Sequence, residues 1–400
     1  MKSPLIRFDL VYRLAAPLIA VLAVTSFATS SIAQPEPAKA KSTAAWLNQM
    51  WSQGKAAGRG PVKLNNYPLR LDDIGSIIPM GMTASGHVTP SDHFYLVTKE
   101  SKDKNQRYDV LAVADGHVVT LQWRPKGNPD PTVFDREVDL KVVLEHSATS
   151  WSYVDHLDEV AEFIRKEVGE RMKPGQPVQL RIPVKAGQVI GKVGHQTFDF
   201  ALIDTAVTLK NFVAPEQFLS RDPWKLHTVD PFDYVDEPLK SKLLALNSRK
   251  TKPFGGKIDY DIDGRLVGNW YEEGSGGYAG ANRRLDYWIG HVSFVYHHIA
   301  PTNIVISIGD YDGRPRQFWV KGNAPDPAKV AEKDGAVKYE LLWGQLGSSG
   351  QTQVRHDANV VQGVALAQVL PNRKLKFEIF RDQTAAEIKD FTSAAKIFER

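Results

Sequence analysis

The stretch Val184-Lys-Ala-Gly-Gln-Val-Ile-Gly-Lys-Val-Gly194, followed by Thr197-Phe-Asp-Phe-Ala-Leu202, decides the fold class of this 400-residue chain. Val189 to Val193 is rich in β-branched residues, and Ala186-Gly187 just before it is a turn signal, so the segment reads as a strand entered through a tight turn. The same reading holds upstream. Tyr108 to Val113 and Val118 to Trp123 flank the turn Asp115-Gly116, and Val138 to Leu144 forms another apolar run. One helix is expected near Leu157 to Met172. Val160, Phe163, Ile164 and Val168 recur there at helical spacing, with Asp158 and Glu159 at the positive N-terminal end.

Three further pieces stand in a fixed order before the opening stretch. They are Gly86-His-Val-Thr-Pro-Ser-Asp-His93, Val110-Leu-Ala-Val-Ala-Asp-Gly-His-Val118, and Val142-Val-Leu-Glu-His146 with Tyr153-Val-Asp-His156-Leu157. Together the four resemble the lysostaphin-type (LytM-like) peptidoglycan metallopeptidase domain over about 120 residues. The resemblance implies a compact antiparallel β domain, a duplicated hybrid motif, at residues 71–210.

In that family zinc is held by a first His, an Asp four residues later, and the last His of a His-x-His pair, with two further histidines assisting. Three protein ligands leave one zinc position open for water or a peptide carbonyl. Carried over, the first ligand falls on His93, and four residues on stands Val97, which cannot bind metal. The assisting His falls on His156, the candidate catalytic residue. The His-x-His pair falls on Phe198-Asp199-Phe200, which puts phenylalanine in the old metal pocket and, by strand alternation, turns Asp199 away from it.

The expectation is a peptidase fold whose hydrolysis is lost, with no cofactor. His93, Asp92 and Asp199 are the candidate binding groove, and His93 is the remaining candidate metal ligand. The alternative is an active zinc endopeptidase with relocated ligands drawn from His87, Asp92, His93, His156, His195 and Asp199. A second alternative is a structural envelope scaffold. Taken singly, His87, His117, His146 and His195 read as surface or turn histidines.

The ends and the second half bound the rest. Lys2, Arg7 and Arg13 precede an apolar run from Ala15 to Ala28, and Ser31-Ile32-Ala33 offers small residues at a cleavage site, so residues 1–33 read as a signal peptide rather than an uncleaved anchor. No other segment is apolar enough to span a membrane. There is no cysteine, hence no disulfide, thiolate metal site or lipidated cysteine. A cysteine-free exported protein fits a bacterial periplasm or secretion, and the resemblance implies peptidoglycan or an envelope protein as partner. The net charge of +4 drops to +2 without the leader and is scattered, which disfavours nucleic acid.

Residues 34–70 form a linker or arm, with one short helix near Ala44 to Trp51. Residues 211–252 connect, with a short helix at Leu239 to Leu246. Residues 253–380 read as a β-sandwich or barrel with strands such as Ile304 to Ile308 and Gln317 to Val320, and 381–400 as a terminal helix.

Asp259-Tyr-Asp-Ile-Asp-Gly264 resembles the start of a calcium loop, but the twelfth position is Trp270 rather than Glu, so a turn at Asp263-Gly264 is expected. The aromatics of Leu266 to Tyr271 and Tyr287 to Tyr296 read as core before they read as a sugar platform. His297-His298 reads as surface.

Overall fold

The computed structural model describes residues 43–84, 86–103, 105–124, 138–194, 197–280, 286–344 and 360–400. The expected leader, residues 34–42 and His195 lie outside the described residues. The chain is mostly β, built from antiparallel sheets and a closed barrel.

Two sheets are formed by β1 (Ile74–Ile78), β2 (Phe94–Thr98), β3 (Tyr108–Leu111), β4 (Gly116–Trp123), β5 (Leu140–Glu145), β6 (Ser150–Leu157), β7 (Glu159–Val160), β8 (Pro177–Val184), β9 (Val189–Val193), β10 (Thr197–Asp204) and β11 (Thr228–Val229). The helices are α1 (Thr43–Ser52) and α2 (Glu162–Val168), with α3 (Leu239–Leu246) following in the connector. The helix expected from Leu157 begins only at Glu162, because Leu157 ends β6 and Glu159–Val160 pairs with β9.

One sheet runs β1-β2-β10-β6-β5-β4-β8, with β11 on β10, and a smaller sheet runs β3-β9-β7. Two glycines are required by geometry. A Cβ at Gly116 would sit 2.1 Å from the Glu145 carbonyl oxygen, and Gly187 holds φ at +79°.

Strand alternation gives the large sheet two different faces. One face carries Phe94, Leu96, Val142, Leu144, Phe198, Phe200 and Leu202, which pack with Val110, Ile190 and Val193 of the small sheet and Ile164 of α2. The other face carries Val143, Trp151, Tyr153, Ala201 and Ile203, and α1 covers part of it with Leu47 and Trp51. Each buried Leu or Phe side chain contributes roughly 1.5–3 kcal/mol of transfer free energy.

A closed barrel follows, built from β12 (Gly268–Glu272), β13 (His291–Tyr296), β14 (Ile304–Ile308), β15 (Arg316–Val320), β16 (Val337–Trp343), β17 (Val361–Leu370), β18 (Lys374–Arg381) and β19 (Lys396–Glu399). Trp270, Phe294, Phe318, Tyr339, Phe377 and Phe398 fill it. The expected terminal helix at 381–400 is therefore corrected. Ala385, Ile388 and Phe391 lie against Val364 and Leu366 of β17, and the last residues form β19. The reason is edge pairing: β19 bonds to β12 and β18 and closes the barrel, which leaves neither of those strands with an open edge.

His297 and His298 are corrected as well. Each is 1% exposed, and the His297 ring lies 4.7 Å from that of Trp319. The expected turn at Asp263-Gly264 is present, with Gly264 at φ +72°.

The barrel grips the segment that leads into β2. Ser293 Oγ donates to the Val88 carbonyl (2.6 Å), Ser307 Oγ to the Thr83 carbonyl (2.8 Å), and Gln317 Nε2 to Thr83 Oγ1 (2.6 Å). These bonds fix the segment that carries Asp92 and His93. No helix among the described residues is long and apolar enough to cross a membrane.

Candidate functional site

The site is built where β2, β10 and β6 lie side by side. Their register pairs Tyr95 with Asp199 and Asp199 with Asp155. Residues paired across antiparallel strands point to the same face, so Tyr95, Asp199 and Asp155 share one face, and alternation adds Tyr153. Phe94, Phe198 and Phe200 point the other way, into the main core, and both Phe198 and Phe200 are fully buried there.

This corrects the expected pocket. The phenylalanines do not line it, and Asp199 faces into it rather than away.

Asp199 is the centre of the cluster. Its Oδ2 lies 3.3 Å from His93 Nε2 and 3.4 Å from His156 Nε2. His93 Nδ1 lies 3.4 Å from Asp92 Oδ1 and 3.3 Å from the Tyr153 hydroxyl. Asp92 Oδ2 accepts from Trp224 Nε1 (2.7 Å) and from Tyr153 Oη (3.3 Å). The four predicted residues His93, Asp92, Asp199 and His156 are thus brought together. His87, expected at the surface, joins them with its ring 5.1 Å from that of His93. His146 instead sits at the far end of β5, bonded to Ser152 Oγ and the Asp115 carbonyl. His117 faces Glu145 there, at 4.0 Å.

Several members had no motif to announce them. His156 Nδ1 bonds to Asp139 Oδ1 at 3.0 Å. Arg124 bonds to Asp155, lies 3.8 Å from Asp139 Oδ2, and places Nη1 3.5 Å from both ring nitrogens of His156. Lys141 Nζ stands 3.8 Å from Asp155 Oδ2 and 3.6 Å above the Tyr153 ring. Lys225 Nζ donates to the Pro90 carbonyl (3.4 Å). Alternation along β6 from Tyr153 to Asp155 was the one available signal. Arg124 and Asp139 reach the site only because β4 and β5 pair beside β6.

The electrostatics follow from this packing. Burial alone would raise the Asp92 pKa, but the hydrogen bond with His93 and the charges of Lys225, His93 and Lys141 outweigh it and hold the carboxyl well below its usual range. Burial also opposes charging of His156, yet Asp199, the Asp139 hydrogen bond and Asp155 outweigh it and raise its pKa. His87 is pushed well below the usual imidazole value by burial, then by His93 and Lys225. His156 holds φ at +68°, an unfavourable backbone region for a residue with a Cβ.

Asp139, Asp155 and His156 form a group close enough to share a metal ion. Arg124 already lies against all three, so a fixed positive charge stands where the ion would go. At His93 and Asp199 two zinc donors are in place, and spacings of 3.3–3.4 Å suit neighbouring ligands of a tetrahedral ion with bonds of about 2.0–2.1 Å. His156 Nε2 lies 3.4 Å from the same Asp199 oxygen, while its Nδ1 is held by Asp139. Arg124 Nη1 stands 3.5 Å from that Nε2, and this positive charge disfavours a metal ion there.

These features define a mostly β chain with a buried, charge-dense cluster on one sheet face. No family model matches the chain, and no curated protein matches it. Among solved structures it is similar to the antimicrobial peptidase lysostaphin from Staphylococcus simulans, at 12% identity, with 68% of this chain and 85% of lysostaphin covered and a TM-score of 0.21. A likeness this loose carries no argument about the site.

Proposed function

We propose that the first domain is a LytM-like module of an exported bacterial envelope protein that binds a wall component or regulates an envelope partner without hydrolysis. One observation carries the loss of hydrolysis. The carboxylates of the cluster lie against the protein's own basic groups, Arg124 and Lys141 at Asp155 and the His156 imidazole at Asp199. A catalytic zinc site needs those positions for the metal and an open coordination place for water. The envelope assignment rests on the leader and the sequence resemblance.

The zinc-hydrolase reading has one observation in its favour. His93 Nε2 and Asp199 Oδ1 are buried with no hydrogen-bond partner. The test is co-sedimentation of the purified mature chain with insoluble peptidoglycan, alongside a digestion assay with and without chelator. Binding that falls on His93→Ala with His156→Ala, and no release of soluble fragments, is the expected result. Chelator-sensitive release of fragments would overturn the reading. Absence of wall affinity would leave the envelope-protein partner, sought by crosslinking of the same variant pair.

A further inference from the structure

Three basic groups meet where the connector, the barrel and the segment leading to Asp92 touch. Arg249 comes from the connector, and His297 and His298 follow the end of β13. Arg249 is 3% exposed, and each histidine is 1% exposed. A buried cation ordinarily faces a carboxylate. Arg249 instead donates to three carbonyls: Nε to Thr251 (2.9 Å), Nη1 to His298 (2.8 Å) and Nη2 to Lys252 (3.3 Å). No carboxylate pairs with it among the described residues.

Geometry holds both histidines neutral. The amides of Ile299 and Ala300 donate to His297 Nδ1 (3.2 Å each), so that nitrogen is an acceptor and carries no proton. Charging the ring would set an N–H against both donors. His298 has no hydrogen-bond partner at either ring nitrogen, and its ring lies 4.5 Å from that of His297. A proton there would be a second buried charge beside Arg249 with nothing to receive it. Burial, and then Arg249, lowers the His297 pKa to about 4. Burial, then His297 and Arg249, pushes His298 well below the usual imidazole value.

The other charged groups around the junction do not relieve this. Lys257 is paired with Asp259, and Asp326 accepts from the Tyr296 hydroxyl. Tyr260, pushed up to about 12 by burial, stays a neutral phenol. Met80 to Thr83 carries no ionisable side chain. Asp230 works in the opposite direction. It accepts from the Gly255 amide (2.9 Å), and burial raises its pKa to about 6, so its proton favours the fold in acid. It offsets roughly one histidine, and there are two.

The junction holds the segment that leads to the site. The Gly81 backbone packs so closely that a Cβ there would lie 2.5 Å from the Lys257 carbonyl oxygen and 3.5 Å from His298 Cβ. The Met80 amide donates to the Gly255 carbonyl (3.1 Å). The Gly81 amide donates to the Ser91 carbonyl, and the Ser91 amide to the Met82 carbonyl (2.9 Å each). Asp92 and His93 follow directly.

We propose that the His297–His298–Arg249 junction is an acid-operated latch that releases Met80 to Met82 and so loosens the entry to β2 that carries Asp92 and His93. The proposal rests on this packing and not on what the His93–Asp199 cluster binds. Both histidines bind a proton more tightly once the junction opens. Closure is therefore complete above about pH 6.5 and weakens as pH falls toward the closed-state values.

The test is native-state hydrogen exchange of purified residues 34–400, from about pH 7.5 to about pH 5, corrected for intrinsic rates. Protection at the Met80, Gly81 and Ser91 amides should fall about 10-fold or more in acid, while amides within β13 and β14 keep theirs. His298→Leu removes one titrating ring. His297→Asn removes the other and keeps an acceptor for the two amides. Each should reduce the fall by about 3-fold or more, and the double variant should abolish or reverse it. The parent carries its own check, since the His297 and His298 ring resonances should titrate below about pH 6. Undiminished protection in acid would overturn the proposal, as would an equal fall across the barrel. So would a fall unchanged in the double variant, or rings that titrate at about pH 6.5 or above.

Discussion

Asp199 Oδ2 lies 3.3 Å from His93 Nε2, on the face of β10 opposite Phe198 and Phe200. That one relationship fixes the register of the site. It makes Asp199 a member of the polar cluster and the phenylalanines members of the hydrophobic core.

The assignment of the phenylalanines has a cost that can be measured. Phe198→Ala or Phe200→Ala should destabilise the protein by about 3–5 kcal/mol, because each empties a fully buried position. Urea unfolding reads this directly. A loss under about 1 kcal/mol would mean that the rings line a pocket open to solvent.

Arg124 balances buried charge. Asp155 is almost fully buried, whereas Arg124 is one-third exposed, so Arg124→Ala should cost about 1–3 kcal/mol rather than the larger penalty of a fully buried pair. The same variant should take up zinc more readily than the parent, because the cation beside Asp139, Asp155 and His156 is gone. Equal metal uptake by the two proteins would show that Arg124 does not guard that group.

His156 gives the pH dependence. Its pKa is raised in the folded protein, so the folded state binds the proton more tightly than the unfolded chain. Its contribution is fully present below about pH 6.5, the unfolded value, and fades as pH rises through the folded pKa. The difference in melting temperature between the parent and His156→Gln should therefore be largest in acid and shrink above neutrality. A difference that grows with pH would contradict the pairing with Asp199 and Asp139.

The strands were legible where local chemistry decided them. Val189–Val193 and the turn at Ala186-Gly187 formed as expected, whereas Asp115 lies in a bend and Gly116 already opens β4 against Glu145. The face of β10 was not legible, because a one-residue shift in aligning a strand exchanges its two sides. Phe198-Asp199-Phe200 alternates either way, and only pairing with β2 and β6 orients it.

Arg124, Asp139 and Trp224 were missed for a related reason. Each enters from a different element, so no spacing along the chain joins them. The end of the chain misled because apolar residues at 385, 388 and 391 satisfy helical spacing as well as a folded-back segment on β17.

The central claim is that this cluster is held by its own charges and not by a metal. The most direct measurement is elemental analysis of purified residues 34–400 after exposure to zinc and desalting. The account predicts zinc far below one per chain, unchanged by His93→Ala. Stoichiometric zinc that disappears on His93→Ala would contradict it and establish His93 as a metal ligand.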